Sequence, residues 1–312
     1  LQDRDHYLTK ISYMYYIDNL SQQEIATALG LSRAKVSRMI QEAKDRGIVE
    51  IKINPTNTRC FELERLLKEK YGLAEVIVIP RFSANDHNIL KSLGKAGAEF
   101  LARNLKEGMT LGFSMGRTLS EVAHSVSVKE KVPCNVIPIT GGLGQVNPEL
   151  HANDICRRVA EGFGGTAFPL YAPAIVSNAQ LKEAIIQDPM IQKVFDEAVS
   201  ADIIVVSVGH VATSTFIEIG SISEQEAVQL QNHGVVGDIA SWFFNANGEI
   251  LDLEIHKRVV GPDFHEIRSK SKVVLIAGTD FKRDVIAAAL RGKLADTLIT
   301  DEGVAKYLLE LP

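Results

Sequence analysis

Apolar and polar positions in the first fifty residues follow a helical period that two tight turns interrupt. In "HYLTKISYMYYIDN" (6–19), Leu8, Ile11, Met14, Tyr15 and Tyr16 recur at spacings suited to one packing face. A second pattern starts at Ser21, a good N-cap, with Glu24 at the capping-box position three residues on. Ile25, Ala28 and Leu29 then form an apolar face, and Gly30 permits the left-handed turn that ends this helix. Ser32 caps a third helix whose buried side is Val36, Met39, Ile40 and Ala43. Gly47 stops it, and "IVEIKI" (48–53) alternates as a short strand does. Small Ala26 lets the helices cross closely, and Val36 packs between them. This is the order of a helix-turn-helix, expected over residues 1–53.

"NPTNTRC" (54–60) breaks both periods, so a linker is expected at 54–59 and a second domain over 60–312. After an amphipathic helix, "FELERLLKEKYGL", short apolar strands alternate with helices. The strands are "EVIVIP", "MTLGFS", "NVIPIT", "DIIVVSVG", "KVVLIAG" and "DTLIT". Such alternation predicts an α/β domain with a mostly parallel sheet covered on both faces. No repeat of 20–50 residues interrupts it.

Composition narrows the class. At 312 residues, 46% hydrophobic and 23% charged, the chain is ordinary globular material for about two domains. The three cysteines, Cys60, Cys134 and Cys156, are far apart, which argues against a disulfide framework or a zinc site. The eight histidines form no H-x-x-x-H pair. No metal and no cofactor is expected. The opening "LQDRDHYLTK" lacks the apolar core of a signal peptide, and no apolar run approaches the ~18 residues of a membrane span. A reducing cytoplasm is the expected location.

The net charge of −5 argues against a large nucleic-acid surface, unless a small basic module sits on an acidic body. The third helix is such a module. Ser32, Arg33, Ala34, Lys35, Ser37 and Arg38 are the candidate DNA surface, with Lys44 and Arg46 nearer the helix end. Arginine pairs bidentately with guanine in a major groove, and the other groups reach phosphates. The alternative is an amphipathic hairpin with a solvated basic face.

Open α/β sheets bind ligands at the carboxyl ends of their strands. Those positions here carry Met115-Gly116-Arg117-Thr118, Gly141-Gly142-Leu143-Gly144-Gln145, His210 with a Thr/Ser-rich loop, Thr279-Asp280-Phe281-Lys282-Arg283, and Asp301-Glu302. Gly, Ser and Thr with a lysine and carboxylates suit a hydroxylated, phosphorylated ligand.

The N-terminal block together with "LGFSMGRTL", "VIPITGG", "GVVGDIASWFFNANG" and "VVLIAGTDFKRDVIAAALRGKLADTLITDEGVAKYLL" resembles the SorC/DeoR-type family of bacterial sugar-responsive transcriptional regulators. The resemblance covers nearly the whole chain. It implies a winged-helix-like head and a Rossmann-like effector domain of the phosphosugar-isomerase type. That domain is related in fold to glucosamine-6-phosphate deaminase and ribose-5-phosphate isomerase. It further implies operator DNA and a sugar or sugar phosphate as partners, and a homotetramer built as a dimer of dimers. By resemblance, Ser114, Gly116 and Thr118 approach the effector, and Gly141 and Gly142 form the next loop. Asp238 accepts from a sugar hydroxyl, and Lys282 meets the phosphate. Some relatives carry lysine where Thr140 stands. Threonine forms no Schiff base, so binding is expected to be reversible and noncovalent.

Competing readings stand beside these. Gly112-Phe113-Ser114-Met115-Gly116 satisfies the G-x-S-x-G hydrolase pattern, with Asp238 and His256 or His265 formally in triad order. No oxyanion segment accompanies it, so no catalytic residue is assigned. Against the regulator stands a sugar-phosphate isomerase, deaminase or serine hydrolase with a helical appendage. Lys282 reads equally as a surface lysine, and Asp238 as the N-cap of a following apolar helix. His210 reads equally as a loop residue, and Glu302 as part of the cap of a helix over 302–310. Trp242, Phe243 and Phe244 read as core or subunit contact.

Overall fold

The computed structural model describes residues 2–50, 55–82, 85–128, 130–142, 144, 147–211 and 221–312. It divides into two compact units, Leu1–Pro55 and Thr56–Pro312.

The N-terminal unit holds α1 (Gln2–Tyr16), α2 (Gln22–Leu29) and α3 (Arg33–Asp45). The capping box at α2 forms: the Ser21 hydroxyl accepts from the Glu24 N–H, and the Glu24 carboxylate accepts from the Ser21 N–H at 2.7 Å. Gly30 ends α2 at φ 65°, where side chains other than glycine's are strained. Leu8, Ile11, Ile25, Ala26, Val36, Ile40 and Ala43 are buried. Ala28, expected on the packed face, is exposed; Ile25 and Ala26 are the edge that α2 buries. The strand expected from Ile48 does not begin at 48–50. The Ile48 and Val49 amides donate to the Ala43 carbonyl at 2.9 and 3.2 Å, closing the end of α3. Residues 51–53, where the wing would continue, lie outside the described residues, as does Asn54. From Pro55 onward the expected linker is helix, the start of α4 (Pro55–Tyr71). Proline opens a helix without loss, because the first N–H has no intrahelical acceptor anyway.

The larger unit is an open sheet of seven parallel strands. It contains β1 (Glu75–Ile79), α5 (Asp86–Asn104), β2 (Thr110–Phe113), α6 (Arg117–Ser125), β3 (Asn135–Pro138), α7 (Ala152–Phe163) and β4 (Thr166–Ala167). There follow α8 (Ala179–Ile186), α9 (Pro189–Val199), β5 (Ile203–Val206), β6 (Val208–His210), α10 (Glu224–Asn232), β7 (Val235–Ile239) and β8 (Trp242–Asn245). The chain closes with α11 (Phe264–Lys270), β9 (Lys272–Ile276), α12 (Arg283–Arg291), β10 (Thr297–Asp301) and α13 (Glu302–Glu310). The sheet order is β1-β10-β9-β5-β2-β3-β4, and β6, β7 and β8 form a small antiparallel sheet.

Period-two alternation assigns each strand residue to one face. Val76, Val78, Ile204, Val206, Val273, Leu275 and Leu298 join one core with α4, α12 and α13. Leu111, Phe113, Ile203, Val205, Val274, Ile276 and Ile299 join the other with α5, α6 and α7. Both faces are therefore apolar and covered, as a parallel sheet requires. The chain leaves β2 toward β3 on one side and leaves β5 toward β9 on the other. The order of the sheet reverses between β2 and β5, which is the place where such sheets bind ligands.

Candidate functional site

In the N-terminal unit, Ser32, Arg33, Ala34, Lys35, Ser37 and Arg38 are all exposed. The Ser32 hydroxyl accepts from the Lys35 N–H at 3.3 Å and so caps α3. Arg4 and Arg46 are tied to carboxylates: Arg4 pairs with Glu42 at 2.8 Å and Arg46 with Asp5 at 2.7 Å. Arg33, Lys35 and Arg38 have no carboxylate partner among the described residues. No acidic residue occupies the first turn of α3, where the helix dipole favours one. Cations placed there work against the helix, so folding does not explain them. A polyanion does.

In the larger unit, three neighbouring strands end in hydroxyls. Ser114 follows β2, Thr140 lies two residues past β3, and Ser207 follows β5. Ser114 and Thr140 are buried, and Thr140 Oγ1 and Ser207 Oγ are buried without a hydrogen-bond partner among the described residues. Thr297, at the opposite end of β10, shares that property, so it is the row along one edge that marks a site. Beyond Ser114, Gly116 adopts φ 116° and leads into α6, whose N-terminus has no side-chain cap. The first helical residue is Arg117, and Thr118 is buried behind it.

Asp238 sits in β7, opposite Gly209 of β6. Any side chain on Gly209 would collide with it, since a Cβ there would lie 2.4 Å from Asp238 Oδ1. Burial pushes the Asp238 carboxyl up to about 6, against the Ser241 N–H that donates to it at 3.2 Å and the nearby Lys282 ammonium. Lys282 ends a 3-10 turn, Asp280–Lys282, at the head of α12. Burial lowers it to about 8; Asp238 opposes the shift and Arg117 adds to it by like-charge repulsion. The fold thus brings Asp238, Lys282 and Arg117 from three distant segments into one electrostatic neighbourhood. Arg117 was not a predicted site residue. Its signal in the sequence is a cation at the first helical position after a strand end.

The loop that carries Lys282 is held from behind. Thr279 adopts φ 76°, unusual for a β-branched residue, while its N–H donates to the buried Asp301 carboxylate at 2.7 Å. Arg81 grips Asp280 with two hydrogen bonds of 2.7 and 2.9 Å. Asp301 also accepts from the Gly303 and Val304 amides, so it caps α13. Glu302 pairs with Lys306.

Several expectations change. Asp238 precedes no apolar helix; it belongs to a hairpin that turns at Ala240 and Ser241, both at positive φ (49° and 72°). The Gly116 N–H donates to the Leu150 carbonyl at 3.1 Å and the Gly142 N–H to the Ala172 carbonyl at 2.7 Å. These amides are committed within the protein, so the two glycines shape their loops and do not hold a phosphate through their N–H groups. Gly141 is buried against residues 172–173: a Cβ there would lie 2.4 Å from the Pro173 carbonyl carbon. The formal triad does not form, because His256 Nε2 accepts the Phe243 N–H at 2.9 Å and burial lowers its pKa to about 4. Phe243 and Phe244 are buried core. The half-buried Trp242 donates to the Pro262 carbonyl at 3.1 Å. The remainder of the loop after His210, at 212–220, lies outside the described residues, as do Leu143 and Gln145. Among the described residues no group has metal-binding character, and no helix is long and apolar enough to cross a membrane.

Comparison with known proteins finds two family models. The family model of the sugar-binding domain matches residues 56–310, and that of the Crp-like helix-turn-helix domain matches residues 6–68. The deoxyribonucleoside regulator of Bacillus subtilis (strain 168) is 31% identical over 297 residues, covering 95% of each chain. The erythritol catabolism regulatory protein EryD of Brucella abortus (strain 2308) is 30% identical over 313 residues, covering 99% of this chain and 98% of its own. The full-length crystal structure of the sorbitol operon regulator SorC from Klebsiella pneumoniae superposes with a TM-score of 0.77 at 27% identity, covering 98% of both chains. These relatives are regulators, not enzymes. This chain belongs to the SorC/DeoR family of sugar-binding transcriptional regulators, with a helix-turn-helix head and a sugar-binding α/β domain.

Proposed function

We propose that the first half of α3 reads operator DNA of a carbohydrate-catabolic operon, and that a sugar or sugar phosphate binds noncovalently at the carboxyl ends of β2, β3 and β5. In this reading residues 1–53 are the DNA-binding domain and residues from 60 onward the effector and assembly domain, of the phosphosugar-isomerase type. Arg33, Lys35, Ser37 and Arg38 face the DNA. Ser114 and Thr118 donate to the ligand at the uncapped start of α6, where the dipole favours an anion. Lys282, with Arg117 beside it, neutralises the phosphate, and Asp238 accepts from a sugar hydroxyl. Gly116, Gly141 and Gly142 give the loops their shape. Thr140 offers a hydroxyl and no amine, so no Schiff base forms. The chain works in the cytoplasm as a homo-oligomer, presenting paired recognition helices to paired half-sites.

The observation that supports the effector site is the coupling of Lys282 to both the buried Asp238 and Arg117, together with the row of strand-end hydroxyls, two of them buried without a partner among the described residues. Two cations held near one another repel, and an anion between them relieves that repulsion. Calorimetric titration with a panel of sugar phosphates tests it. At least one is expected to bind the wild type and to lose at least tenfold in affinity in Lys282→Met. Lys282 is charged below its lowered pKa of about 8, so affinity should hold at neutral pH and fall as pH rises past that value. Binding indifferent to both the substitution and the pH would place the effector elsewhere.

A further inference from the structure

The loop that carries Lys282 has a backbone that its own residues do not favour. Thr279 adopts φ 76° and ψ 147°, a region that belongs almost to glycine alone, and α12 starts beyond Lys282 with no side-chain cap. Such conformations persist only where the surroundings over-determine them, and they collect at ligand clamps. Two contacts over-determine this one. The buried Asp301 carboxylate, at the end of β10, accepts the Thr279 N–H at 2.7 Å, and a Cβ on Gly278 would lie 2.6 Å from the same carboxylate. Arg81, two residues past β1, reaches across the end of β10 and takes both oxygens of Asp280 at 2.7 and 2.9 Å.

Folding does not explain the second contact. The Asp280 side chain is 60% exposed, and an ion pair with that much water around one partner adds little to stability. Arg81 does not need Asp280 to balance its charge either. Asp301 and Asp86 are close enough to act on it, and the Arg81 N–H donates to Glu302 at 3.4 Å. What the bidentate pair supplies is direction: a guanidinium fork holds both oxygens of a carboxylate in one plane, which a point charge does not. Asp280 is the first residue of the 3-10 turn and Lys282 the last, and the Lys282 N–H closes that turn on the Thr279 carbonyl at 3.1 Å. Holding Asp280 therefore sets the place from which the Lys282 side chain reaches the neighbourhood of Asp238 and Arg117.

We infer that Arg81 and Asp280 are positioning residues of the effector site: their bidentate pair, braced by Asp301, fixes the loop so that Lys282 meets the anionic group of the ligand. The inference deepens the effector-site reading above and rests on it.

Calorimetric titration of the full chain with pentose and hexose phosphates tests it. The proteins are wild type, Lys282→Met, Arg81→Met, Asp280→Ala, and each of the last two combined with Lys282→Met. Charge alone predicts opposite signs: loss of the Arg81 cation weakens the binding of an anion, and loss of the Asp280 anion tightens it. Positioning predicts that both single variants weaken binding, by about three- to tenfold, and that either change costs less than about twofold once Lys282 is already methionine. Asp280 is on the surface, so an unchanged melting temperature certifies the fold of Asp280→Ala, and that variant decides alone if Arg81→Met melts early. An Asp280→Ala chain that binds as tightly as wild type, or tighter, overturns the inference, while a weakened Lys282→Met still upholds the effector site. A loss that persists undiminished without Lys282 overturns it too, because the pair then acts by another route. A wild type that binds no sugar phosphate, or binding indifferent to Lys282→Met, overturns the reading and the inference together.

Discussion

Asp238 holds a carboxyl group where a charge is costly to keep. Its folded pKa, about 6, lies above its ordinary value, so between about pH 4 and 6 the folded chain keeps a proton that the unfolded chain has released. Stability from this group therefore falls as pH rises through that window, and the whole penalty is present above it. Asp238→Asn keeps an acceptor for the Ser241 N–H and removes the charge. Urea unfolding should show the variant about 1–3 kcal/mol more stable than wild type at pH 8, with the difference shrinking toward pH 4. The same change should abolish the effector response, the usual sign of a residue kept for function at the expense of stability. An equally stable or less stable variant at pH 8 would mean that the carboxylate is already satisfied by the fold. At this scale the sequence was partly legible. Lys282 and Arg117 stand in loops that the rule of ligand binding at strand ends marks out, and Ser114 comes from the family resemblance. The nearness of Arg117 to Lys282 was not legible, because it depends on two loops 165 residues apart in the chain.

Elements were legible where a single period governs them. The capped helices of the head, and the strands whose two faces are both buried, stand where the pattern puts them. The β7–β8 hairpin was not legible. "DIASWFF" is a nearly continuous apolar run without the Asn-Gly or Gly pair that marks a two-residue turn, and Ala240 and Ser241 take left-handed conformations that glycine would occupy without strain. The Asp238 carboxylate bonded to Ser241 holds that turn, and such a tertiary contact leaves no local pattern. Residues 48–50 of the strand expected after Gly47 are not strand for a related reason: the end of α3 takes the Ile48 and Val49 amides that a strand would pair. The neighbouring glycines of the β3 loop separate packing from shape. Gly141→Ala drives a Cβ against the Pro173 backbone and should lower stability by about 1–3 kcal/mol. Gly142→Ala, whose Cβ would meet nothing closer than His151 Nδ1 at 3.7 Å, should stay within about 0.5 kcal/mol of wild type. Thermal melts of the two variants check this, and equal losses would refute the assignment.

The chain as a whole is a small, nearly neutral head whose basic character is concentrated in the first half of α3, joined to a larger sugar-binding domain that carries the net negative charge, and that concentration was legible from charge read by segment. What the sequence does not carry is the sign of the coupling between them. An effector shifts operator affinity only as far as it binds one arrangement of the assembly better than another, and the shift is reciprocal. The strand-end site and the recognition helix are separable by mutation. Arg38→Ala should weaken operator binding and reduce its salt dependence by about one phosphate contact, while leaving sugar-phosphate binding unchanged. The most direct test of the central claim is fluorescence anisotropy of labelled DNA from upstream of the chain's own operon, titrated with wild type and Asp238→Asn, each with and without a sugar phosphate that binds the wild type. The account predicts that both proteins prefer this DNA to a scrambled duplex. It predicts that the sugar phosphate changes the wild-type affinity by about 5–150-fold and leaves the variant unmoved. Equal affinity for specific and scrambled DNA, or an undiminished effector response in Asp238→Asn, would contradict it.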